Sequence, residues 1–257
     1  MIELCVLGSG SSGNSYYVGD EESAFLLDAG FSARDTRRRL DEAGLDAGKI
    51  RGIVITHDHS DHSKGAGVLS RALKAPVHIN EKTYERVKHV IGDPFGINHF
   101  CVGASFEVAG FNAASFSIPH DAADPCAFVF SNKGGSAAVV TDAGSTTFLM
   151  ETRLKEVDYI VLEANHDPSM LMAGPYPWPL KQRIASRMGH LSNDTCMELL
   201  KKVIGPKLQG VTFAHLSEKN NNPDLVALGA RDALNGNTHI KFDIASQDSP
   251  CEIKYVG

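Results

Sequence analysis

The chain has 257 residues, of which 42% are hydrophobic and 22% charged, and its formal net charge is −6. That length and balance suit a soluble globular protein with a sizeable core. They argue against a basic protein that holds long nucleic acid mainly through charge, so any nucleic-acid contact is expected to be local.

The chain opens directly on an apolar strand, Ile2–Leu7, with neither the basic start nor the cleavage site of a signal peptide. A small-residue loop, Gly8–Ser15, follows. Tyr16–Val18 and Ala24–Leu27 read as strands around a hairpin turn at Gly19–Glu22. Asp35–Ala43 reads as a helix, Ile50–Thr56 as a strand, Lys64–Leu73 as a helix and Ala75–Ile79 as a strand. Thr83–Ile91 is helical in composition, and Glu107–Ile118 alternates as exposed-face strands do. Ala127–Ser131 and Ser136–Thr141 flank a hairpin turn, Asn132–Gly135, and Tyr159–Glu163 reads as a buried strand. Pro175–Arg183 reads as a proline-stiffened loop. Asp194–Ile204 reads as an amphipathic helix capped by Ser192 or Asn193, and Gly210–Ala214 as a strand ending at His215. Pro223–Asn235 is a helix capped by Asn222, and His239–Ala245 and Cys251–Val256 are closing strands. No internal repeat or low-complexity linker stands out. One α/β domain over residues 1–257 is expected, with two packed sheets and helices on the outer faces. No apolar run is long enough to span a membrane. Five cysteines without a CxxC pair point to free thiols and a cytoplasmic setting.

The chemistry concentrates at His57-Asp58-His59-Ser60-Asp61-His62, where three histidines and two aspartates follow a strand. Imidazole and carboxylate together suit zinc, manganese or iron. His57 and His59, two residues apart on extended backbone, can share one metal, while Asp61 and His62 turn toward a second. Two metals need more ligands. His120, Asp142 and His215 each follow a predicted strand and are the candidates. The Gly8–Ser15 loop, with Ser11 and Asn14, could offer backbone N–H groups to a phosphate, or could be a tight turn that needs glycine for sterics. It lacks the lysine of a phosphate-binding P-loop, so no nucleotide cofactor is expected.

The HxHxDH pattern followed by separate His, Asp and His residues resembles the signature of the metallo-β-lactamase superfamily. Asp28, in Leu26-Leu27-Asp28-Ala29-Gly30, resembles its structural aspartate. Within that superfamily five segments resemble the YycJ/WalJ-type DNA exonucleases, of the same branch as tRNase Z and the PhnP-type phosphodiesterases. These are Gly8–Ser15, Glu163–Asp167, Gly174–Trp178, Gly189–Asn193 and Ala214–Asn221. The resemblance implies an αββα sandwich with two divalent metals at one edge. It implies that His57, His59 and His120 bind one metal, that Asp61, His62 and His215 bind the other, and that Asp142 bridges them. His190 resembles a non-ligand histidine that faces the scissile phosphate, with Glu163 orienting it. His166 has no counterpart.

The expected activity is hydrolysis of DNA phosphodiesters from 5′ ends, with a metal-bridging hydroxide as nucleophile and Asp61 accepting a hydrogen bond from the attacking water. Trp178 and Tyr176 could stack on bases, and Lys181, Arg183 and Arg187 could meet phosphates. The ligand set equally suits a small-molecule hydrolase, either a cyclic phosphodiesterase or a glyoxalase II-like thioesterase.

Overall fold

The computed structural model describes residues 1–257. Two seven-stranded sheets pack face to face. The first sheet holds β1 (Ile2–Gly8), β2 (Ser15–Gly19), β3 (Ala24–Leu27), β4 (Ile50–Val54), β5 (Val77–Asn80) and β6 (Ile97–Phe100) in sequence order, and β14 (Lys254–Val256) joins it beside β1. The second holds β7 (Ser105–Val108), β8 (Phe111–Ser117), β9 (Cys126–Asn132), β10 (Gly135–Val140), β11 (Tyr159–Glu163), β12 (Gly210–Ala214) and β13 (Lys241–Ile244), also in sequence order. Each sheet starts as an antiparallel meander. The pairings β3–β4–β5–β6 and β10–β11–β12–β13 are parallel.

Strand periodicity explains the four layers. On β1, Ile2, Leu4 and Val6 face the second sheet, while Cys5 and Leu7 face outward. On β11, Tyr159 and Val161 face the first sheet, while Ile160 and Leu162 face outward. This alternation gives every central strand two buried faces. The central layer closes over Phe25, Phe111, Phe128 and Phe130. Outside the first sheet lie α1 (Ala33–Glu42), α2 (Ser60–Ser63), α3 (Ala66–Leu73) and α4 (Glu81–Ile91). Outside the second lie α5 (Phe148–Leu154), α8 (Asn193–Val203) and α9 (Pro223–Ala233), while α6 (Pro168–Ala173) and α7 (Trp178–Ile184) lie in the long connection after β11. The expected αββα sandwich is the fold observed. No helix is long and apolar enough to cross a membrane.

Several elements differ from the sequence reading. Pro175–Arg183 is not a loop throughout, because α7 begins at Trp178 with Pro177 as its cap residue. Proline's fixed φ and missing N–H suit the first helical turn, so a proline-rich start is compatible with a helix. The segment Glu107–Ile118 is the hairpin β7–β8, which turns at Ala109 and Gly110, both with positive φ. β6 and α5 carried too little periodicity to be read.

Candidate metal centre

The parallel strands bring their C-terminal ends to one edge, and that edge collects the polar cluster. Asp28 follows β3, His57 follows β4, Asp142 follows β10, Glu163 ends β11 and His215 follows β12. Asp28, Asp142 and His215 all have φ near 60°. Asp and His enter this left-handed region more readily than most residues, at a cost of about 1–3 kcal/mol each. The sharp turn lifts each side chain off the strand and into the cluster.

Two sets of ligand atoms converge. His57, His59 and His120 form one group, and Asp61, His62 and His215 form another, each within 4.8 Å. Asp142 lies between them, 3.2 Å from His62 Nε2, 3.5 Å from His215 Nε2 and 3.9 Å from His120 Nε2. His57 Nε2, His215 Nε2 and Asp142 Oδ2 are buried without a hydrogen-bond partner. Such atoms are costly unless something satisfies them, and a cation among them would do so. The donor set therefore fits divalent metal.

The outer ring nitrogens explain which atoms point inward. His62 Nδ1 donates to Asp28 at 2.8 Å, His120 Nδ1 to the Gly189 carbonyl at 3.0 Å, and His215 Nδ1 to Glu163 at 3.0 Å. His57 Nδ1 lies 2.9 Å from Thr56 Oγ1, which itself donates to Asp28. Each bond selects the tautomer that leaves Nε2 free as a ligand. His59 is reversed, and its Nδ1 lies 3.2 Å from His120 Nε2.

Charges in the cluster are strongly coupled. Burial pushes His57 well below the usual histidine range. Burial pushes His62 and His215 down too, but the surrounding carboxylates together outweigh it, Asp142 with Asp28 and Asp61 at His62 and Asp142 with Asp61 and Glu163 at His215, so His62 is held well above the ordinary value and His215 at about 10. Burial raises the Glu163 carboxyl, and the facing His190 together with His215 more than reverses this, bringing it to about 2.

Glu163 has a wider role than the sequence suggested. Its carboxylate accepts from His190 Nδ1 at 2.8 Å, His215 Nδ1 at 3.0 Å and the backbone N–H groups of Ala143 and Leu191. One buried acid thus aligns both His215 and His190, whose side chain is one-fifth exposed, and Asp142, Glu163, His190 and His215 together form a further group of converging ligand-type atoms.

A cleft of about 290 Å³ opens over the cluster. His59, Asp61, Asp142, His190 and His215 form its floor, and Tyr176, Leu180 and Arg183 form one wall. Ser11 also lines it. Asn14 does not, because it is fully buried. Its side chain accepts from Ser9 Oγ and donates to Asp61 Oδ2, so the glycine-rich loop is a brace beneath the ligands. Trp178 stands outside the cleft and Tyr176 enters it instead. Lys181 is buried and donates to the Met172 carbonyl, which removes it as a phosphate contact. His166 is buried, with Nδ1 3.3 Å from Asn165 Oδ1, and makes no contact with the cluster.

Sequence reasoning missed Gln247 and Asp121. Gln247 clamps the loop, accepting from Ser12 N and donating to the Gly13 carbonyl. Nothing in its neighbourhood marks it, since it comes from the far end of the chain. Asp121, adjacent to His120, was visible but unassigned.

Residues 24–211 match the family model described as the beta-lactamase superfamily domain. The chain belongs to that superfamily. Among curated relatives, "Exodeoxyribonuclease YycJ" of Bacillus anthracis is 37% identical, with 99% of each chain covered. "Exodeoxyribonuclease WalJ" of Streptococcus pneumoniae is 35% identical, over 86% of this chain and 83% of the relative. The solved metallo-β-lactamase-fold protein YhfI of Bacillus subtilis superposes with a TM-score of 0.75 at 14% identity, covering 98% of this chain and 100% of that one. The fold and the ligand chemistry together make the chain a metal-dependent hydrolase of the superfamily.

Proposed function

We propose that this protein is a dinuclear-metal phosphodiesterase that removes nucleotides from the 5′ ends of DNA. The observation that carries the reading is the Glu163–His190 pair beside a seven-residue ligand cage, in a chain similar along its whole length to exodeoxyribonucleases. In this scheme His57, His59 and His120 hold one ion, Asp61, His62 and His215 the other, and Asp142 both. Zinc suits the imidazole-rich set, and manganese or iron are alternatives. When bound, such a pair supplies Lewis acidity and a nucleophile from water near pH ~7.

The chain's own residues do the rest. Asp61, one-fifth exposed at the cleft floor, accepts a hydrogen bond from the attacking water and aligns it. Glu163 accepts a hydrogen bond from His190 Nδ1 and so orients the ring, and in the imidazolium form the Nε2–H donates to the phosphate or hands its proton to the leaving oxygen, returning His190 to the neutral Nδ1–H form. Arg183, Ser11 and Tyr176 line the path by which a nucleotide enters. The modest cleft volume favours one second reading, a small-phosphodiester or thioester hydrolase.

The test is a side-by-side assay with Mn²⁺ or Zn²⁺. End-labelled DNA with and without a 5′ phosphate, bis-p-nitrophenyl phosphate and a thioester are each incubated with the protein. Mononucleotide release from the 5′ end is expected. Turnover of the small diester or the thioester alone would replace the nuclease reading with the second one.

A further inference from the structure

We propose that Asp121 is a positioning residue that fixes the Arg183 guanidinium at the cleft mouth, so that its two terminal amino groups meet a substrate phosphate flanking the one being cut. The inference rests on the phosphodiesterase reading of the same site.

Arg183 lies on α7 and its side chain is more than half exposed. Its Nε donates to Asp121 Oδ2 at 2.5 Å. Using Nε for the tether leaves both Nη groups, the outer edge of the fork, for an anion. The other carboxylate oxygen of Asp121 lies 3.6 Å from His120 Nε2 and 3.9 Å from His59 Nε2. Asp121 therefore stands between the cage rim and the arginine. Because the scissile group belongs in the cage, an arginine held on the far side of Asp121 meets the next phosphate along. An untethered arginine must give up rotamer freedom on binding, whereas a tethered one has already lost it. A substrate with a single phosphodiester gains nothing from this contact, so the pair favours chains over small diesters.

The sign of one substitution separates this role from simple charge balance. Removing a carboxylate beside an anion site ordinarily tightens anion binding. Removing a tether weakens it. Zinc-loaded wild type, Asp121→Asn, Arg183→Ala and the double variant are titrated against phosphorothioate-protected single-stranded DNA by fluorescence anisotropy, with zinc content measured in each. Asp121→Asn is expected to weaken binding about fivefold. Arg183→Ala is expected to reduce the salt slope by about 0.7. The double variant is expected to bind no more weakly than Arg183→Ala alone. Tighter binding by Asp121→Asn, independent effects in the double variant, or loss of zinc from Asp121→Asn would each overturn the proposal. DNA digestion by the wild type is run alongside. Digestion with any of those three results removes the pair and leaves the nuclease reading, whereas neither binding nor digestion removes both. The expected binding pattern together with digestion supports the pair, whereas the same pattern without digestion removes the nuclease reading and the flanking-phosphate role with it.

Discussion

His190 and Glu163 illustrate how much rests on one buried carboxylate. His190→Ala is expected to keep both metals, since the seven proposed ligands hold them without it and Glu163 still orients His215, and to lower turnover by about 10²–10⁴-fold. Elemental analysis checks the first half, and a lost metal equivalent would make His190 a ligand instead. Glu163→Gln acts on two histidines at once, because His215 leans on the same oxygen as His190. Its expected outcome is a fall of about 10- to 100-fold in affinity at the second metal together with reduced turnover. A change in turnover with metal affinity intact would confine Glu163 to His190. The convergence of the candidate ligands was legible because six residues crowd three histidines and two aspartates together, and because His120, Asp142 and His215 each follow a strand. Asn14 and Lys181 were misread because polarity alone does not tell whether a side chain faces solvent or braces a neighbour.

At the scale of elements, the two halves of the fold repeat a local device. Asp28-Ala29-Gly30 follows β3 and Asp142-Ala143-Gly144 follows β10, each starting at φ 60°. Both glycines sit against the loop that carries the next site residues. A Cβ on Gly30 would lie 1.7 Å from the Asp61 carbonyl oxygen, and one on Gly144 would lie 2.3 Å from Gly189 N. The triplet was in plain view in the sequence, but two short matches more than a hundred residues apart do not announce a repeat until the strands are superposed. Gly30→Ala is expected to displace the Asp61–His62 turn, weaken the second metal and lower Tm by roughly 10 °C. A calorimetric scan of the loaded protein checks it, and an unchanged Tm would mean the turn shifts freely. α7 was not legible for the opposite reason, because its prolines read as breakers when they are placed as helix starters.

For the whole molecule, the protons held by the metal-free centre predict how it loads. Burial would drive His62 and His215 toward neutrality, but the carboxylates around them, Asp142 foremost with Asp28, Asp61 and Glu163, hold both above their ordinary values, His215 at about 10. A group raised this way carries its proton at pH 7, and metal must displace it. Loading the chelated protein with Zn²⁺ at pH 7 is expected to release about two protons. Affinity should climb with pH until about 10, where His215 surrenders its own proton. Calorimetry in buffers of different ionisation enthalpy measures the release, and a value of zero would mean that both histidines are already neutral. The sandwich itself was readable from strand periodicity. Composition and periodicity alone could not reveal that residues from the edges of both face-to-face sheets share one centre, since that depends on contacts between distant segments; only the family resemblance implied it.

The sharing of the centre between the sheets also sets when activity arises during synthesis. A chain leaving the ribosome carries His57, His59, Asp61 and His62 first, gains His120 and Asp142 next, and receives His215 last of the seven. Gln247, which clamps the loop under the ligands, comes later still. A partly translated chain has neither a closed cage nor a braced cleft. An enzyme of the proposed kind therefore cannot close its cage until the strands of both sheets through His215 have been made.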